Sequence, residues 1–199
     1  MFVTFEGIDG SGKTTQAELL AEALRAEGRN VVATREPGGT ELGERVRSLL
    51  LEHDVDVAPW AEAALFAAAR AQLVDEVIRP AVAAGADVVC DRYVDSSLAY
   101  QGIARGLGVD HVLELNLRAT QGLLPDRTFL VVIGADEAAR RASGDADRIE
   151  REGIDFQTAV GRAYEGLAEM FPQRITKLDG ARPAAELARI VRDELRDLS

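Results

Sequence analysis

The chain alternates short apolar runs with longer stretches in which apolar residues recur every three or four positions. Met1 to Phe5 (MFVTF) reads as a buried strand, and Lys13 to Ala26 carries Leu19, Leu20, Ala23 and Leu24 at helical spacing, ending near Gly28. Val31 to Thr34 is a second strand, and Thr40 to Glu52 a second helix. Trp60 to Ala84 is a long alanine-rich helix that Pro80 should break or kink near its end. The alternation continues with strands at Asp87 to Cys90, Thr128 to Ile133 and Ile175 to Leu178. Helical stretches lie between and after them, at about 94–104, 110–120, 136–143, 154–170 and 183–197. Buried strands separated by helices need a crossover for each return, so the pattern predicts a doubly wound α/β fold with a parallel sheet covered on both faces.

Length and composition narrow this further. At 199 residues the chain suits one domain, and with 47% hydrophobic and 29% charged residues it is neither disordered nor fibrous. The longest apolar stretch, Ala63 to Ala69, is far shorter than the ~18 residues a bilayer crossing needs, and no signal peptide is evident. The expectation is a soluble cytoplasmic protein. Its one cysteine, Cys90, ends an apolar run and should be a buried, inert thiol. A formal net charge of −11 argues against a nucleic-acid partner.

Only two lysines, Lys13 and Lys177, stand among the 23 basic residues. One of them completes Gly7-Ile8-Asp9-Gly10-Ser11-Gly12-Lys13-Thr14, the phosphate-loop pattern G-x-x-x-x-G-K-[ST], between a strand and a helix as that pattern requires. Glycines let backbone N–H groups turn toward phosphate oxygens at a helix N-terminus, and Lys13 adds a point charge. Thr14 should place its hydroxyl on magnesium, with Asp91 at the end of the third strand binding the ion or its waters. Asp91-Arg92-Tyr93 and Arg35-Glu36-Pro37-Gly38-Gly39-Thr40 both follow strands, where ligands collect in such folds. Arg92 suggests a second anion, although an ion pair with Asp91 or Glu36 explains it equally well. Phe66 and Arg70 share a helical face and could line a base pocket, although a Phe and an Arg at this spacing are more often a core residue and a solvated rim.

The segments GIDGSGKTTQ, TREPGGT, LFAAARAQ and VVCDRYVDSSLAYQG, in this order and spacing, resemble the bacterial thymidylate kinases over essentially the whole chain. The resemblance implies a single domain with strand order 2-3-1-4-5, a mobile lid at about 140–153, and transfer of the ATP γ-phosphoryl to dTMP with magnesium. It also implies a homodimer, with Trp60 to Ala84 contributing the interface. Gly7 to Thr15, Thr15 included, would hold ATP. Asp9 would lie near the sugar hydroxyl and metal waters, Arg92 and Arg47 near the acceptor phosphate, Phe66 on thymine and Arg70 on a thymine carbonyl. Glu36, Pro37, Ser97, Tyr100 and Gln101 would complete the substrate wall.

One departure concerns the lid. Relatives with a small residue at the position of Gly10 look to the lid for a catalytic arginine, and they often carry it where this chain has Ser143. That leaves Arg140, Arg141, Arg148 and Arg151, with Arg148 and Arg141 favoured over solvated pairing with Asp145, Asp147 or Glu150. Two other readings remain: a same-fold kinase for another monophosphate, and a nucleotide switch, for whose guanine-specific form the N-K-x-D segment is missing.

Overall fold

The computed structural model describes residues 1–52, 56–141 and 147–196. Five strands, β1 (Phe2–Glu6), β2 (Val31–Arg35), β3 (Asp87–Asp91), β4 (Arg127–Val132) and β5 (Ile175–Asp179), form one parallel sheet in the order β2-β3-β1-β4-β5. The doubly wound fold and its strand order are therefore as expected. Four strands run one residue beyond their apolar runs, to Glu6, Arg35, Asp91 and Asp179, because the ladder continues past the last core side chain. Glu6 still pairs with Leu130, and Arg35 with Asp91. Polar residues at strand ends are thus held by sheet hydrogen bonds and presented at the carboxyl edge.

The period of two along β1 divides the core. Val3 and Phe5 join Leu20, Leu24, Leu187 and Val191 under α1 (Lys13–Ala26) and α9 (Ala184–Leu195). Phe2 faces the opposite layer, which contains α3 (Pro59–Leu73), α5 (Val94–Ser97), α6 (Val109–Ala119) and α8 (Ile154–Met170). Burying each leucine of these cores contributes about 1.5–3 kcal/mol. α2 (Glu41–Leu51) starts at Thr40, whose hydroxyl accepts from the Gly43 N–H at 2.9 Å.

Pro80 does not end the long helix. α3 passes through a π-helical turn, Val74–Ile78, into α4 (Arg79–Ala83), and this wider turn accommodates a residue that cannot donate to the preceding turn. The helix expected over 94–104 is likewise divided, into α5 and a π-helical stretch, Leu98–Ala104, that carries Tyr100 and Gln101. α7 (Ala135–Arg141) precedes a short 3₁₀ turn, Glu150–Glu152. Of the lid expected over about 140–153, residues 142–146 lie outside the described residues. The remainder is well anchored: Asp147 accepts from the N–H groups of Ile149 and Glu150, while Glu150 accepts from the Asp147 N–H, a reciprocal cap.

Candidate functional site

The loop between β1 and α1 borders a cavity of about 770 Å³ lined by Asp9 to Gln16, Arg141, Glu150 and the segment Gly180 to Ala184. Gly12 precedes the helix at φ +96°, a conformation glycine adopts without strain, and the first turn of α1 carries no acidic residue to oppose an anion. Gly10 is fixed by packing as well as by its φ of +80°: a Cβ there would lie 2.2 Å from the Ala138 carbonyl oxygen of α7. The absence of an arginine at this position therefore has a steric cause. The same close approach brings Arg141, one turn further along α7, to the cavity.

Asp9 also lines a second, narrower cavity of about 90 Å³, together with Glu36, Pro37, Arg47, Phe66, Arg92, Ser97, Tyr100 and Gln101. Its Oδ1 accepts from Lys13 Nζ at 2.9 Å and from Arg92 Nη2 at 2.6 Å, so one carboxylate oxygen joins the two cavities. Burial opposes the charge on Asp9, but Arg92 and Lys13 outweigh it and hold the carboxyl well below its usual range. Burial and Arg92 pull the Lys13 ammonium below its ordinary value, against Asp9 and Asp91. Arg92 has φ +70°, which costs a non-glycine residue about 1–2 kcal/mol. Its neighbours fix that conformation: the backbone N–H donates to Phe5 O, and the guanidinium to Asp9, Ser96, Tyr164 and Tyr100.

Glu6 supports this arrangement from below. Fully buried, it accepts from the Tyr93 and Ser96 N–H groups and is bonded to the Ser96 and Tyr164 hydroxyls. Burial and the charge of Asp95 raise its pKa to about 7, despite Arg92 and those donors. A carboxyl raised in the folded state binds its proton more tightly there than in the unfolded chain. Its contribution to stability is complete below the unfolded value near 4.5 and is lost as pH rises through 7, amounting to roughly 3 kcal/mol. Glu6→Gln, which keeps the shape without the titration, should flatten the fall in unfolding free energy between pH 5 and 8. Parallel denaturant curves for parent and variant would refute this.

In the narrow cavity Phe66 is half-buried, and Arg47 donates to Pro37 O at 3.0 Å. Arg70 is 1% exposed and does not line the cavity. Its guanidinium donates to Glu36 Oε2 through Nε, to Ser97 and Asn116 through Nη1 and to Tyr93 O through Nη2, and Nη2 also lies 2.6 Å from Glu36 Oε2 as an ion pair. Each nitrogen of the fork already has an acceptor, so a base carbonyl would have to share or displace one of them. Glu36 Oε1, in contrast, is buried without a hydrogen-bond partner. Asp91 Oδ1 is likewise buried and unpartnered, while Asp91 Oδ2 accepts from the Thr14 hydroxyl. An oxygen left unpaired beside a hydroxyl is a suitable donor set for a hard cation that keeps most of its waters.

The two favoured lid arginines separate. Arg141 lines the large cavity, donating to Glu137 and to Gly180 O. Arg148 turns instead toward the acceptor side, where it donates to Leu50 O at 2.8 Å and to the buried Glu62 at 2.6 Å. Among the described residues neither pairs with Asp147 or Glu150, although Arg141 forms a solvent-exposed ion pair with Glu137; Asp145 lies outside the described residues. Arg140 is exposed on Glu137.

The thymidylate kinase family model matches residues 5–190. The chain belongs to the thymidylate kinase family. It is 47% identical over 193 residues to a thymidylate kinase of Thermoanaerobacter sp. (strain X514), with 96% of this chain and 94% of that protein covered. It is 49% identical over 197 residues to one from Clavibacter michiganensis, covering 96% and 92%. The crystal structure of a thymidylate kinase from Ehrlichia chaffeensis superimposes with a TM-score of 0.78 at 34% identity, covering 98% of each chain.

In this member of the thymidylate kinase family, sequence reasoning passed over Glu6 and Glu62. An acid directly before the phosphate-loop glycine, at the end of a buried strand, was a usable signal for Glu6. Glu62 sits one turn before Phe66 on the same face of α3, a position that pattern alone assigns to a solvated rim.

Proposed function

We propose that the chain transfers the γ-phosphoryl of ATP to dTMP, giving dTDP for dTTP synthesis, with ATP in the large cavity and dTMP in the narrow one. The single observation that carries the reading is Asp9 Oδ1, bonded at once to Lys13 on the donor side and Arg92 on the acceptor side. A phosphate monoester has its second pKa near ~6, so the acceptor is largely dianionic at neutral pH and needs no general base. The obstacle is repulsion between two anions, which Lys13, Arg92, Arg47 and Arg141 offset. An oxygen of the dTMP phosphate attacks the γ-phosphorus, the bond to the β,γ-bridging oxygen breaks, and ADP leaves. Loop N–H groups and Lys13 hold the donor phosphates, Arg92 and Arg47 the acceptor phosphate, and Arg141 the charge on the transferred group. Phe66 gives the base a flat surface, Tyr100 and Gln101 close the wall, and Glu36 Oε1 offers an acceptor to a ligand N–H or O–H.

Magnesium fits Thr14 and Asp91, the unpaired Oδ1 being the supporting observation, and when bound it offsets phosphate charge. The assembly is a cytoplasmic homodimer of single domains, packed through the face of α3 that exposes Trp60, Ala61, Ala64 and Ala68. Nucleic acid is not a partner, given the net charge of −11.

Assaying ATP with dTMP, dUMP, dCMP, dGMP and AMP tests the substrate assignment. The expected result is the highest kcat/KM with dTMP. Preference for another monophosphate would reassign the acceptor, and no transfer to any would favour a nucleotide switch.

A further inference from the structure

Glu62 is a fully buried carboxylate that the phosphoryl-transfer account does not use. On α3, one turn before Phe66, it is 1% exposed and takes three donors from two separate segments, the π-helical stretch ending at Arg105 and the turn that carries Arg148. Gln101 Nε2 donates to Oε1 at 2.9 Å, Arg105 reaches both oxygens at 3.3 Å, and Arg148 Nη2 donates to Oε2 at 2.6 Å. Burial opposes the charge, but the bonds from Gln101, Arg148 and Arg105 hold the carboxyl below its usual range.

The three donors belong to different parts of the site. Gln101 lines the narrow cavity. Arg148 comes from the capped turn Asp147 to Glu152, whose Asp147 and Ile149 line the same cavity from the lid side. Arg105 bonds both Glu62 and Glu152 and packs over the Phe156 ring at 4.6 Å. Arg148 is further secured by Leu50 O. With this turn seated on Glu62, Asp147 and Ile149 border the acceptor cavity across from Gln101. Glu62 is the buried anion that holds the turn at this border.

We infer that Glu62 is a positioning residue that latches the turn Asp147 to Glu152 over the bound monophosphate through Arg148 and Arg105, and through Gln101 ties that closure to occupancy of the base wall. The latch contributes to catalysis indirectly, by holding the acceptor and excluding water that would otherwise take the phosphoryl group. This inference rests on the kinase reading above, and the wild-type assay separates the two. Absence of dTDP formation by the wild type defeats the kinase reading, whereas the latch is judged on variants of an active enzyme.

The experiment measures dTDP and inorganic phosphate together for wild type, Glu62→Gln, Arg148→Gln and the double variant, with dTMP and ATP each varied. The expected result for Glu62→Gln is a roughly tenfold rise in KM for dTMP, little change in KM for ATP, and a several-fold larger share of ATP lost to inorganic phosphate. Arg148→Gln, which leaves Arg105 and Gln101 on Glu62, should shift the same quantities less far, and the double variant no further than Glu62→Gln, since both act through the one carboxylate. A loss confined to stability would lower the active fraction without changing the product ratio. Should Glu62→Gln not fold, Arg148→Gln, altered on the lid side of the contact, decides alone. An unchanged product ratio in the folded variants, or multiplicative effects in the double variant, would overturn the proposal.

Discussion

Lys13→Ala turns over dTMP slower by on the order of 10³-fold while keeping its fold, because the ammonium acts on transferred charge and supports little else. Its contacts in the structure are Asp9 Oδ1 at 2.9 Å and a long one to Ile8 O at 3.4 Å, with no part in either large core cluster. Removing it does not strand Asp9, which keeps its bond to Arg92 at 2.6 Å. The cost in stability should therefore remain near 1 kcal/mol, as for loss of one ordinary partner. Thermal unfolding and steady-state kinetics on the same preparation check both halves. Turnover within tenfold of the parent in a folded variant would remove Lys13 from the donor site.

Arg70→Ala has the largest expected effect on stability. Alanine would leave Glu36 buried with no countercharge and withdraw donors from Ser97, Asn116 and Tyr93 O at once. Breaking a buried pair from one side costs about 3–5 kcal/mol, which for a chain of this size lowers Tm by roughly 6–20 °C. Because Glu36 and Ser97 line the narrow cavity, KM for dTMP should rise more than KM for ATP in whatever fraction folds. Arg70→Lys restores charge but not the planar fork, so it should recover only part of the loss. A Tm within about 2 °C of the parent, combined with a selective loss of dTMP affinity, would instead place the main role of Arg70 on the base.

What the sequence made legible depended on how local the chemistry is. The phosphate loop could be read because eight consecutive residues carry its geometry, and the strand order came with the family resemblance. Strand ends were misjudged by a residue because hydrophobic pattern stops at the core, whereas the ladder continues to Glu6 and Asp91. Gly10 was read as a missing charge, and the structure adds a steric reason in the approach of Ala138. Arg148 drew attention as a lid arginine, but its partner Glu62 lies 86 positions away, a pairing that spacing could not suggest. Arg70 was expected on a thymine carbonyl, but its guanidinium lies behind the cavity wall on partners 23 to 46 positions distant, which spacing does not reveal.

The central claim is that donor and acceptor phosphates meet directly across the Asp9 contact shared by Lys13 and Arg92. Transfer from ATP made chiral at the γ-phosphorus, with the configuration of the resulting dTDP determined, tests it most directly. One in-line displacement inverts the phosphorus, so the account predicts inversion with one dTDP formed per ADP. Retention would mean that the phosphoryl group rests on the protein between two displacements, and would contradict a site in which the two cavities join.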